Sequence, residues 1–70
     1  MSIQSQYVVS GMHCGHCVTS VTEEVSAIPG VTDVRVDLAS GELDVTSETD
    51  IDFSAIEAAV DEAGYSVAPR

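Results

Sequence analysis

Residues 11–30 read GMHCGHCVTSVTEEVSAIPG, and this stretch decides both the fold and the chemistry of the chain. Its second half carries apolar residues at spacings of three, four and three: Val18, Val21, Val25 and Ile28. That spacing is typical of one face of an amphipathic helix. We predict a helix over Gly15–Ala27 that stops before Pro29 and Gly30. Its β-branched residues weaken the local helix preference, so packing against a partner surface must hold it.

Alternating apolar and polar residues predict four strands, and a second apolar stripe predicts another helix. The predicted strands are Gln4–Ser10, Val31–Leu38, Glu42–Thr46 and Tyr65–Ala68, the middle two joined as a hairpin by Ala39, Ser40 and Gly41. The stripe of the second helix is Phe53, Ile56, Val60 and Ala63. Asp52 or Ser54 can cap that helix, Ser54–Glu57 also fits a capping box, and Gly64 is in a position to end it.

The element order is therefore strand, helix, strand, strand, helix, strand, in one domain over residues 1–70. Each helix must bury one stripe and each strand one face. An antiparallel sheet with both helices on one face satisfies these needs, which predicts the α+β, ferredoxin-like split βαβ architecture.

The charge of the chain is strongly negative and narrows the classes of partner. The chain has twelve acidic residues, two arginines and no lysine, which gives a formal net charge of −10. Nucleic acids are excluded, because their phosphates need cations that this chain lacks, and anionic membrane surfaces are disfavoured. A protein with a basic face is the natural complement, although acidity also simply keeps a small protein soluble.

Small size and low aromatic content argue against an enzyme, because a 70-residue chain has little room for a substrate pocket beside its core. No stretch approaches the roughly 20 apolar residues of a membrane span. Residues 1–6 do not resemble a signal peptide. We therefore predict a cytoplasmic protein without membrane insertion, in which a close cysteine pair serves metal or redox chemistry.

Cys14 and Cys17, the two cysteines of the chain, lie three residues apart. Soft thiolates select Cu(I), Zn(II) and related ions. A structural zinc site needs four ligands, and His13 and His16 adjoin the cysteines too closely to complete a tetrahedron easily. Cu(I) is satisfied by two sulfur ligands, so the ligand count favours Cu(I). The spacing predicts an open surface site that a third thiolate can enter.

Two alternative roles for the cysteine pair stay open on the residues alone. A lone CxxC occurs in thioredoxin-like redox proteins, although these have a larger α/β fold. Half of an intermolecular zinc site is the second alternative. Two incidental cysteines are disfavoured, because Gly11 and Gly15 mark a shaped loop.

Three nearby side chains are auxiliary candidates. The thioether of Met12 could act as a metal ligand, but we expect this side chain to pack beneath the loop. His16 is either an exposed helix residue or an additional ligand, tuning the thiols or joining a second protomer. Tyr65 either shields the metal site with its hydroxyl near the thiolates or caps the hydrophobic core.

The residues Gly11–Cys17 resemble the GMxCxxC signature of heavy-metal-associated domains. Gly30–Val31, the strand Val34–Leu38 and the stretch Ile56–Tyr65 are also similar to that family, so the resemblance covers nearly the whole chain. As a free-standing domain the chain resembles the small bacterial copper chaperones of the CopZ type. Its starting Met1 and short ends suggest a complete small protein rather than a domain excised from an ATPase.

The resemblance implies a ferredoxin-like fold, Cu(I) bound by Cys14 and Cys17, and delivery by ligand exchange to a copper-transporting P-type ATPase or a copper-sensing repressor. Tyr65 matches the position where bacterial copper chaperones carry Tyr. Zinc-exporting relatives often place an acidic residue where this chain has His13, which favours copper over the zinc or mercury alternative. A copper-bridged homodimer with His16 as an extra ligand is a further expectation. The missing lysines depart from relatives that dock through basic patches.

Overall fold

The computed structural model describes residues 2–12 and 15–70. Its elements, in chain order, are β1 (Ile3–Ser10), α1 (Gly15–Ser26), β2 (Val31–Val36), β3 (Glu42–Ser47), α2 (Phe53–Glu62) and β4 (Ser66–Pro69). The strands form one sheet in the order β2-β3-β1-β4, and each neighbouring pair is antiparallel. The predicted ferredoxin-like βαββαβ architecture is confirmed.

The core lies between one face of the sheet and the two helices. The central strands bury alternate residues, Tyr7 and Val9 on β1 and Leu43 and Val45 on β3. The helices meet them with four fully buried side chains: Val21, Val25, Ile56 and Val60. Each such side chain contributes about 1.5–3 kcal/mol through its removal from water. Both helices therefore cover the same face of the sheet, and the other face stays open.

The predicted second strand is too long by two residues. β2 ends at Val36, because Asp37 begins a turn: its carboxylate Oδ1 accepts a 3.0 Å hydrogen bond from the backbone nitrogen of Ala39. Its backbone carbonyl also accepts a 2.8 Å bond from the nitrogen of Gly41. An aspartate that bonds its own backbone two residues on competes with the sheet ladder. Leu38 is accordingly exposed rather than inward-facing.

The predicted capping box of α2 is wrong. Asp52 is the N-cap residue, and it makes no side-chain cap hydrogen bond. Its backbone carbonyl accepts bonds from the nitrogens of Ala55 (3.0 Å) and Ile56 (3.4 Å), which places Ser54 inside the helix. The other predicted boundaries are confirmed to within one residue: β1 begins at Ile3, α1 ends at Ser26, β3 ends at Ser47, and β4 spans Ser66–Pro69.

Candidate metal centre

The candidate site lies at the edge of the sheet where β1 ends and α1 begins. Gly11 follows β1 directly and has a φ of +94°, a conformation that side chains bearing a Cβ rarely adopt. Glycine therefore lets the chain leave the strand sharply before it enters α1. We call residues 11–17 the cysteine segment. Of its members, His13 and Cys14 lie outside the described residues, and so the predicted role of Cys14 as a ligand remains a prediction.

Cys17 lies in the first turn of α1 and is buried, with only 8% of the residue exposed. It starts a buried stripe that continues through Val21 and Val25 at intervals of four residues. The prediction that this stripe begins at Val18 is wrong, since Val18 is only half-buried. Packing in this stripe holds the Cys17 thiol in the first turn of the helix.

Tyr65 is held at this edge by the way in which α2 ends. The nitrogen of Gly64, at φ +93°, donates a 2.9 Å bond to the carbonyl of Asp61, and the nitrogen of Tyr65 donates a 3.1 Å bond to that of Val60. This is the Schellman pattern, which turns the chain out of a helix. The half-buried Tyr65 ring packs against the hydrophobic core. This packing agrees with the core-capping alternative for Tyr65, and a role of its hydroxyl near the thiolates remains a prediction.

Met12 and His16 differ in burial. Met12 is half-buried and packs against the hydrophobic core, which confirms the predicted packing role. His16 is exposed on α1. That exposure agrees with the interpretation of His16 as a solvent-facing helix residue. A role for His16 as an additional ligand remains a prediction. Residues 2–12 and 15–70 contain no cluster of three or more His, Cys, Asp or Glu side chains that could hold a metal ion. A two-thiol site therefore depends on Cys14 as well as Cys17.

Neither arginine of the chain lies on a helix. Arg35 on β2 approaches Asp33 at 3.6 Å, and its side chain is 82% exposed. Arg70 pairs with Glu42 of β3. The acidic residues of α1 and α2 form no ion pair with any side chain in residues 2–12 and 15–70. The helical layer therefore presents an uncompensated negative surface.

The open face of the sheet carries one polar feature that the sequence did not predict. Asp44 lies on β3 opposite Gln6 and Arg35 in the strand register. Its Oδ1 atom is buried and accepts no hydrogen bond from any residue that the structure describes. The alternation of apolar and polar residues along β3 predicts that Asp44 lies on the open face. The sequence does not predict that the Arg35 side chain approaches Asp33.

The model of the heavy-metal-associated domain matches residues 6–66. The chain belongs to this family. Copper chaperone CopZ of Bacillus subtilis (strain 168) is 38% identical over 66 residues, which cover 93% of this chain and 96% of CopZ. Copper-transporting ATPase 1 of Rhizobium meliloti (strain 1021) is 40% identical over 65 residues, which cover 93% of this chain but 8% of the ATPase.

Solved structures give the same result for the fold. A "CopZ metallochaperone" superposes with a TM-score of 0.87 at 33% identity, covering 94% of this chain and 100% of the other. The N-terminal domain of ZntA in its apo form gives a TM-score of 0.90 at 33% identity, with coverages of 100% and 94%. The expected membership in the heavy-metal-associated domain family is confirmed. No helix in the described part of the chain is long and apolar enough to cross a membrane.

Proposed function

We propose that this heavy-metal-associated domain is a cytoplasmic Cu(I) chaperone and not an enzyme. Cys14 and Cys17 bind one Cu(I) ion through their thiolates, and the ion is the cargo. The observation that carries the proposal is the place of Cys17: a buried thiol in the first turn of α1, at the edge where the cysteine segment meets Tyr65. The similarity to CopZ, which extends over nearly the full length of both chains, supports the chaperone role.

Binding and release are both ligand exchanges at sulfur. Each thiol loses a proton when it binds Cu(I), so uptake releases protons to solvent. For release, a thiolate of the partner forms a third bond to the copper. One bond from copper to this chain then breaks, and the freed thiolate takes up a proton. The second bond follows in the same way, and the oxidation state of copper does not change.

The proposed recipient is the heavy-metal-associated domain of a copper-transporting P-type ATPase. The similarity of this chain to a segment of such an ATPase supports this choice, because two domains of one fold can present thiolates in matched positions. A copper-responsive repressor is a second proposed recipient. A copper-bridged homodimer, with exposed His16 as an extra ligand, is the state proposed at high copper loading.

Zinc handling is the second candidate function. The observation that favours it is the close fit to the N-terminal domain of ZntA, at a TM-score of 0.90. The two candidates differ in the number of ligands they need, since Zn(II) prefers four and Cu(I) accepts two. The described residues contain no group of three or more His, Cys, Asp or Glu side chains such as a zinc site would draw on.

The test replaces each cysteine with serine in the reduced protein. Cys14→Ser and Cys17→Ser each exchange a soft thiolate for a hard hydroxyl, so the affinity for Cu(I) should fall by at least about 100-fold. The matched control is His16→Asn, which alters the exposed neighbour of Cys17 and should change the affinity less than about threefold at one copper per protein. Circular dichroism checks that each variant is folded. Wild-type affinity in either serine variant would contradict the proposal.

A further inference from the structure

A surface groove of about 400 Å³ runs between α2 and β4. Glu57 and Asp61 of α2 line one side, Ser66 and Val67 of β4 line the other, and Tyr65 between these elements also lines it. Gly11, Met12 and residues 15–17 of the cysteine segment do not line the groove, but Tyr65 connects it to that segment. A Cβ atom placed on Gly11 would lie 3.4 Å from Cδ1 of Tyr65, so the same ring borders the groove and the cysteine segment.

The α2 wall of the groove is negatively charged, and its carboxylates form no ion pair with residues 2–12 or 15–70. Glu57 and Asp61 are both exposed and stand four residues apart, which places them on one face of the helix about 6 Å apart. The chain has two cationic side chains besides histidine, Arg35 and Arg70. Both belong to ion pairs elsewhere, with Asp33 and Glu42. Lysine or arginine side chains that pair with these carboxylates would therefore come from another molecule.

The opposite wall is an edge of the sheet. β4 pairs with β1 on one side, and no strand of the described ranges 2–12 and 15–70 lies on its other side. An edge strand offers backbone groups to an extended segment of a partner. Alternate side chains of such a segment point the same way at intervals of about 6.8 Å. That interval is close to the separation of Glu57 and Asp61, so cationic side chains at alternate positions would meet both carboxylates.

We propose that the groove between α2 and β4 docks an extended, lysine- or arginine-bearing segment of the protein that exchanges metal with this chain. Docking there brings the partner alongside Tyr65 and the cysteine segment. The inference rests on the proposed function for the identity of the partner. A second copy of this chain is a poor occupant, because it carries the same net charge of −10 and has no lysine.

The test uses the metal-free, reduced full-length protein labelled with ¹⁵N. An eight-residue peptide of alternating lysine and valine is titrated at low ionic strength, where exposed charges are least screened. A peptide of alternating glutamate and valine serves as the control ligand. The expected result is that amide shifts induced by the lysine peptide concentrate at the groove, in Glu57, Ala58, Asp61, Ser66 and Val67, and that the glutamate peptide induces none.

Two double variants distinguish the contribution of the groove to peptide binding from that of the net negative charge of the chain. Glu57→Gln with Asp61→Asn removes both carboxylates of the groove and should weaken binding of the lysine peptide about fivefold or more, as expected for two exposed ion pairs. Glu48→Gln with Asp50→Asn makes the same chemical change in the exposed β3–α2 loop and should weaken it less than about twofold.

Shifts spread over all acidic surfaces, or equal losses in the two double variants, would overturn the inference. Because no metal is present, this result is independent of the proposed function. The copper affinity of the groove variant is measured separately and should match that of the wild type.

Discussion

The ring of Tyr65 lies against Gly11, where a Cβ atom would come within 3.4 Å of Tyr65 Cδ1. This contact brings the end of α2 next to the end of β1. The chain leaves the helical layer at the first of these points and the sheet at the second. Residues far apart in sequence thereby shape one edge of the molecule. The site proposed for copper thus depends on the fold as well as on the two cysteines.

Gly11→Ala should destabilise the protein by about 1–3 kcal/mol, because a residue with a Cβ is strained at the φ of +94° that this turn requires. The free energy of unfolding in urea measures the effect. Gly15→Ala is the matched control, since Gly15 has no positive φ and a Cβ there would meet nothing within 4 Å. The control should be neutral or slightly stabilising, as alanine favours helix. Equal losses in both variants would contradict the assigned role of Gly11.

Tyr65→Phe separates the ring of Tyr65 from its hydroxyl. The ring packs against the core, so the free energy of unfolding should change by less than about 1 kcal/mol. If the hydroxyl lies near the bound thiolates, the rate at which a chelator removes Cu(I) should rise severalfold. Tyr65→Leu, which loses the ring, should also lose stability. An unchanged rate of removal in Tyr65→Phe would leave Tyr65 with the packing role alone.

Gly41 should tolerate alanine worse than Gly64 does. Both have positive φ, +77° and +93°, but a Cβ on Gly41 would lie 2.6 Å from the carbonyl oxygen of Val9, whereas one on Gly64 would meet nothing within 4 Å. The carbonyl of Gly41 also accepts a 2.7 Å bond from the nitrogen of Val9. We expect Gly41→Ala to lose about 2 kcal/mol more than Gly64→Ala in thermal or urea unfolding. Comparable losses would show that the close approach to Val9 relaxes freely.

Asp44→Asn should stabilise the protein. The Oδ1 atom of half-buried Asp44 is buried and accepts no hydrogen bond from residues 2–12 or 15–70, and an unpaired buried oxygen is costlier when it belongs to a carboxylate than to an amide. The gain should be about 0.5–1.5 kcal/mol. Asp50→Asn removes the same charge from an exposed loop residue and controls for relief of the net charge of −10. Equal gains would assign the effect to net charge rather than to the buried oxygen.

The periodic parts of the chain are predictable from sequence, and the junctions are less so. Val21 and Val25, or Leu43 and Val45, face the core because their spacing matches a helix or a strand. The predicted end of β2 is wrong because Asp37 begins a turn, held by a hydrogen bond to its side chain. The strand therefore does not continue through Leu38, although the apolar alternation does. Local hydrogen bonds of this kind leave the apolar pattern unchanged, so the pattern does not reveal them.

The candidate site, too, is predicted in part and missed in part. The spacing of Cys14 and Cys17 indicates a soft metal, but Cys17 also belongs to the buried stripe of α1. The sequence carries a signal for that burial, since Cys17, Val21 and Val25 follow one another at intervals of four and cysteine is among the most buried residue types. A prediction that treats cysteine only as a ligand does not use this signal. The contact between Tyr65 and Gly11 has no local signal, because it depends on how α2 ends.

The most direct measurement is a competition titration of the reduced, anaerobic protein with Cu(I) against a chromophoric Cu(I) chelator, repeated with Zn(II). A Cu(I) chaperone should take copper from the chelator until one ion is bound per two thiols, and excess Zn(II) should not displace it, because two thiolates satisfy Cu(I) but not Zn(II). Zn(II) binding as tight as that of Cu(I), or failure to take Cu(I) from the chelator, would contradict the proposed function.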